Sequence, residues 1–147
     1  MITRIVFDMD NTLVDELGAT VRPGMPEFLA KLRSMGCALF LWTNSSCDRA
    51  REILARLELR GYFEKCLFRE DYDPDNRGIR KDIGRLNAEL LIDDDPAEIA
   101  FAKKCGHAAY LIAPYRKNAQ VSGNEYREIL ELVSARGGLF RKMFGRP

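Results

Sequence analysis

Short apolar runs alternate along this chain with stretches in which apolar residues return every three or four positions. The runs at residues 2–7, 37–42, 65–68, 89–92 and 108–112 predict five strands. Between them, Phe28, Leu29, Leu32 and Met35 have helical spacing, with Gly36 as the stop. Ala50, Ile53, Leu54 and Leu57 mark the buried face of a second helix over 48–59, ended by Gly61. A third helix, 96–105, has Pro96 in its first turn and Gly106 after its end. A last one, 124–135, carries Tyr126, Ile129, Leu130 and Val133 on one side and is expected to cover the sheet. Residues 13–21 form a short connection, and Lys81 opens a weak element. Residues 69–80 read as a polar loop around the turn Asp73-Pro74-Asp75-Asn76.

Strands alternating with helices imply a mostly parallel sheet with helices on both faces, an α/β Rossmann-like three-layer sandwich. Residues 1–135 are expected to form a single domain. Residues 136–147, with four basic residues and no acid, read as a basic C-terminal tail, with a contact arm for a partner as the alternative.

Three polar clusters directly follow buried runs: residues 8–12, 43–46 and 93–95. Ligands of open α/β sheets bind outside the carboxyl ends of the strands, so these clusters are expected to converge there. Asp8 and Asp10 lie two residues apart. Carboxylates that close repel unless a cation lies between them or one holds a proton. A plain Asp/Asn turn is the bland reading of Asp10-Asn11-Thr12.

Composition narrows the field. Hydrophobic content of 46% and charged content of 31% over 147 residues suit a globular chain with a real core. A net charge of +1 gives no global reason to expect nucleic acid or an anionic membrane as partner. No run approaches the length of a membrane span, and charged Asp8 and Asp10 interrupt the first apolar stretch, so a cytoplasmic location is expected. Four cysteines without a C-x-x-C pair, and one histidine, argue against a zinc site. Cys37 and Cys66 read as buried thiols and Cys47 as a helix-start residue.

The converging residues fill the roles of phosphoryl transfer. Asp8 suits a carboxylate nucleophile forming an acyl phosphate. Asp10 suits a group that protonates the leaving oxygen and then activates water. Asp93, with help from Asp94, would hold Mg²⁺, which lets an anionic nucleophile approach an anionic phosphate. Thr43 offers a hydroxyl, with backbone N–H groups and Asn44 nearby, to a phosphoryl oxygen, and Lys81 a positive charge. Taken alone, Lys81 would be a solvated lysine. Lys103 and Lys104 read as solvent-facing, and Asp95 as a helix cap. A receiver domain uses similar residues but needs its acidic pair first, a phosphoacceptor Asp mid-chain and its Lys last. The P-loop pattern is absent.

Asp8-x-Asp10-x-Thr12, then Thr43, Lys81 and Asp93-Asp94, each in order, resemble the four motifs of the haloacid dehalogenase (HAD) superfamily. The resemblance implies a HAD-like fold, Mg²⁺ dependence and an aspartyl-phosphate intermediate. It assigns Asp8 as nucleophile, Asp10 as acid/base, and Asp8, the Asp10 backbone carbonyl and Asp93 as metal ligands. Asp at the second position of the first motif is the phosphatase pattern. Arg22-Pro23 with Glu27-Phe28-Leu29, then Leu67-Phe68-Arg69-Glu70, Lys81-Asp82 with Arg85-Leu86, and Asp93 with Pro96, are similar to the small phosphatases that act on the C-terminal domain of RNA polymerase II. The chain departs from them in DMDNT, in Asp94 where they have Asn, and in lacking their insert between the first two motifs.

Residues 13–21 are too few for a helical cap. A site without a cap suits a phosphate on a protein or other macromolecule. The rival is a small phosphomonoester, with a second subunit closing the site; the oligomeric state is open. A non-catalytic binding module that keeps the fold is the other class.

Overall fold

The computed structural model describes residues 1–117, 119–120 and 123–135. The expected basic tail, 136–147, lies outside them. The elements in chain order are β1 (Arg4–Phe7), α1 (Met25–Ser34), β2 (Ala38–Trp42), α2 (Cys47–Arg56), β3 (Lys65–Leu67), α3 (Arg69–Tyr72), β4 (Leu90–Asp93), α4 (Pro96–Lys104), β5 (Ala108–Leu111) and α5 (Asn124–Ala135). Single 3₁₀ turns cover Arg60–Tyr62 and Ile83–Leu86.

The strands form one parallel sheet in the order β3-β2-β1-β4-β5. β1 lies in the middle, so its side chains are covered on both faces. Successive strand residues point to opposite faces, and the core divides accordingly. Ile5, Phe7, Leu39, Leu41, Leu90 and Ile92 pack against α1, α2 and α5. Val6, Phe40, Trp42 and Leu91 pack against α3, the second 3₁₀ turn and α4. This is the expected three-layer α/β sandwich, and Ile129 and Val133 of α5 are its covering contacts.

Four local expectations change. Residues 69–72 form a helix rather than part of a loop: Asp71 accepts from the Phe68 N–H at 2.8 Å, and Tyr72 packs edge-on against Trp42. α2 ends earlier than expected, at Arg56, because Glu58 takes the left-handed conformation (φ 57°). Gly61 lies beyond, in the 3₁₀ turn, and is not the stop. Residues 2–3 precede β1, although Ile2 is fully buried and its N–H donates to Val133 O at 2.9 Å. Cys66 is only half-buried, whereas Cys37 is buried as expected.

Residues 13–21 carry no domain of their own. Bridges from Val14 to Asp10 and Val21 fold the segment back on itself, and Asp15 staples it. The Asp15 carboxylate is fully buried and accepts from the N–H groups of Leu17, Ala19 and Thr20. Among the described residues, no helix is long and apolar enough to cross a membrane.

Candidate active site

The register of the parallel strands brings the three polar clusters together. Phe7 pairs with Leu41 on one side and Ile92 on the other, so Asp8, the residues after β2 and Asp93 emerge at one sheet edge. Asp8 N–H donates to Ile92 O (3.0 Å) and Thr43 N–H to Leu67 O (3.0 Å), which extends the ladders up to the site. Asp8, Asp10, Thr43, Asn44, Lys81, Asp93 and Asp94 all line one cleft of about 630 Å³, room for more than a phosphoryl group.

Lys81 is the hub. Its side chain is 4% exposed, and Nζ donates to Asp8 Oδ1 at 2.9 Å and to Asp93 Oδ2 at 2.8 Å. The solvated-lysine reading therefore fails. Burial pulls the Lys81 pKa down, but the charges of Asp8 and Asp93 more than offset it, and the net shift is upward. Burial raises Asp8 to about 6 against the lowering pull of Lys81, with Asp94 adding to the rise. Burial and the neighbouring Asp8 raise Asp93 to about 6. Burial also raises Asp94.

One oxygen each from Asp8, Asp93 and Asp94 lies within 4.8 Å of the others. Three carboxylates against one ammonium leave two negative charges uncompensated, the charge of a single divalent cation. All three donors are carboxylate oxygens, with no Cys or His among them. The set therefore fits a hard cation such as Mg²⁺. Thr12 joins the cluster: its hydroxyl lies 3.2 Å from Asp8 Oδ2 and 3.3 Å from Asp94 Oδ1.

Asp10 sits apart from that cluster. Its carboxylate is bound on both oxygens by Arg49, at 2.9 Å each, and Arg49 also reaches Ser45 Oγ (3.0 Å). The bond to Asp10 raises the Arg49 pKa further. Thr43 is buried, and its Oγ1 accepts the Ser45 N–H at 3.0 Å, which fixes the rotamer. The Asn44 amide turns to Tyr72, donating to its hydroxyl at 3.0 Å. Asp95 caps α4 by accepting from Ala97 N–H (2.9 Å), and Lys103 and Lys104 are exposed, both as expected.

The loop after Asp8 is held from within. Arg22, 1% exposed, donates to Thr12 O (2.7 Å), Asn11 O (3.1 Å) and Ala113 O, and pairs with Glu125 at 3.5 Å. A guanidinium buried on carbonyls and one carboxylate is the kind of fork that arginine, and not lysine, makes. Asn11 takes φ 65°, a conformation that Asn tolerates better than most residues.

Arg49, Arg80 and Glu98 also line the cleft, and motif reading did not bring them out. The only sequence signal was position: Arg49 one turn into the helix after Thr43, Glu98 in the first turn after Asp93.

The sequence model of the NLI interacting factor-like phosphatases matches residues 3–137. An uncharacterized 38.0 kDa protein of Autographa californica nuclear polyhedrosis virus is 37% identical over 62 residues. That match covers 41% of this chain and only 19% of the viral protein. A hydrolase from Streptococcus pneumoniae TIGR4 shares the fold with a TM-score of 0.65 at 14% identity, over 88% of this chain and 98% of its own. A haloacid dehalogenase-like family hydrolase from Streptococcus pneumoniae does so with a TM-score of 0.61 at 16% identity, over 89% and 98%.

Proposed function

This chain belongs to the NLI interacting factor-like phosphatases, and from that membership we propose that it is a phosphomonoester hydrolase working through an aspartyl-phosphate on Asp8. The observation that carries the reading is the Lys81 ammonium held between buried Asp8 and Asp93, with half-buried Asp94 completing the acidic group.

In the first step an Asp8 carboxylate oxygen attacks phosphorus, and the bond to the leaving oxygen breaks. Asp10 delivers a proton to that oxygen. To do so its carboxyl group exchanges Arg49 for the substrate and enters the step carrying the proton, which the second step restores. Lys81 and the Thr43 hydroxyl face the equatorial phosphoryl oxygens, where charge accumulates. Asn44 lines the same wall. In the second step Asp10 takes a proton from water, water attacks phosphorus, and Asp8 is released with inorganic phosphate. Asp8, Asp93 and Asp94, with the backbone of Asp10, would hold Mg²⁺, which when bound neutralises the negative charge between nucleophile and phosphate.

The segment that replaces a cap, residues 13–21, is short and stapled to itself through Asp15. Among the described residues it leaves the cleft without a cap, so we assign a phosphoryl group on a protein as the substrate class.

Phosphate release from p-nitrophenyl phosphate tests the mechanism. Activity is expected with Mg²⁺, absent with EDTA, and lowered about a thousandfold or more by Asp8→Asn. Undiminished activity in Asp8→Asn would refute the covalent route. No activity in the folded wild type would favour a binding module.

A further inference from the structure

Glu98 is buried at the side of the cleft, 7% exposed, and no step above uses it. It stands in the first turn of α4, just past the acidic cluster. A carboxylate buried this far is costly unless its oxygens are satisfied. Both are, by two consecutive residues. Oε1 accepts the Lys81 backbone N–H at 3.0 Å, and Oε2 accepts from Arg80 Nη1 at 3.2 Å.

Residues 78–82 belong to no helix or strand, so no ladder fixes the backbone of Lys81. Yet its ammonium must meet two carboxylates at the ends of two neighbouring strands, at 2.9 and 2.8 Å. Lysine reaches them on a flexible four-carbon stem. The position of the tip therefore depends on where the backbone is tied: buried Asp73 holds the N–H groups of Arg77, Gly78 and Ile79, and at Lys81 itself the tie is Glu98.

We propose that Glu98 is a positioning residue for Lys81. It joins the irregular segment carrying the lysine to the helix that follows Asp93. Nucleophile, ammonium and acidic cluster then keep their spacing. The catalytic consequence rests on the phosphatase reading; the tie itself does not.

Two substitutions separate reach from charge. Glu98→Gln keeps an acceptor at the same reach and loses the charge. Glu98→Asp keeps the charge and is one methylene short. With p-nitrophenyl phosphate and Mg²⁺, Glu98→Gln is expected to hold kcat within about threefold of wild type. Glu98→Asp is expected to lower kcat about tenfold or more, with KM moving less, since misplacing a group near the reacting atoms by ~1 Å costs up to about a hundredfold. In a Lys81→Ala background, Glu98→Asp should cost nothing further. Equal losses in Gln and Asp, or losses at 98 and 81 that multiply, would overturn the proposal.

Thermal unfolding of the same proteins reads the coupling without turnover. Glu98→Asp should lower the midpoint less in Lys81→Ala than in wild type, because the ammonium contacts it disturbs are already gone. Equal shifts in the two backgrounds would sink the idea even if the wild type proved inactive.

Discussion

Asp8 and Asp93 bind one ammonium between them, and Asp94 crowds the same space. Their raised pKa values make a prediction at the scale of single residues. A carboxylate with a folded-state pKa near 6 and an ordinary value of 3.8 binds more protons folded than unfolded between those limits. Stability of the metal-free protein therefore falls as pH rises through that window. Asp15 and Asp73 run the other way: burial pushes their pKa values up, but the hydrogen bonds that their carboxylates accept outweigh it and the net shift is downward, so what they contribute is lost only as pH falls below the ordinary carboxylate range. Comparison with Asp8→Asn isolates the site. In EDTA, the wild-type thermal midpoint should drop relative to that of Asp8→Asn between about pH 4 and pH 6.5. Saturating Mg²⁺ should abolish the drop. A gap that stays constant across the window would contradict the crowding.

Secondary-structure elements are bounded by a few backbone choices. Gly36 and Gly106, each with positive φ, follow α1 and α4 as the sequence implies. α2 ends instead with an exposed glutamate in the left-handed region, Glu58 at φ 57°. An L-residue with a Cβ is strained there by about 1–2 kcal/mol, part of which glycine would return in unfolded-state entropy. Glu58→Gly is expected to stabilise the protein by about 0.5–1 kcal/mol in urea unfolding. A loss of stability would mean that the Glu58 side chain makes a contact worth more than its strain. α3 follows a different logic. Four residues are too few to form a helix by propensity, and it exists because Tyr72 is buried on Trp42.

At the scale of the whole molecule, the sheet order puts β1 at the centre with the cleft above its end. Among the described residues, the stapled 13–21 segment leaves that cleft without a cap. A small substrate would then bind mainly through its phosphoryl group and the groups beside it, whereas a phosphopeptide can extend along the rim, including half-exposed Ile79. The prediction is a kcat/KM for phosphopeptides at least about tenfold above that for sugar phosphates, a difference worth ~1.4 kcal/mol. The reverse order, measured on the same preparation, would rule out the macromolecular assignment.

What the amino-acid order determined by itself was local or periodic. Five apolar runs with helical spacings between them specify an alternating sheet, because strand and helix bury their faces with different periods. Asp8, Thr43, Lys81 and Asp93, which the structure brings into one cleft, were legible as candidate site residues because each stands at the end of a run or in a motif order. Tertiary structure alone decided the partners. It set Asp10 on Arg49, turned Asn44 to Tyr72, buried Lys81 between two strands and tied its backbone to Glu98. Those pairs are 12 to 73 residues apart, and the facing residues carry no periodic signal. Which carboxylate meets which cation depends on how parallel strands are ordered and how far an irregular segment reaches. Those are distances in space, set only once the sheet has closed over its core.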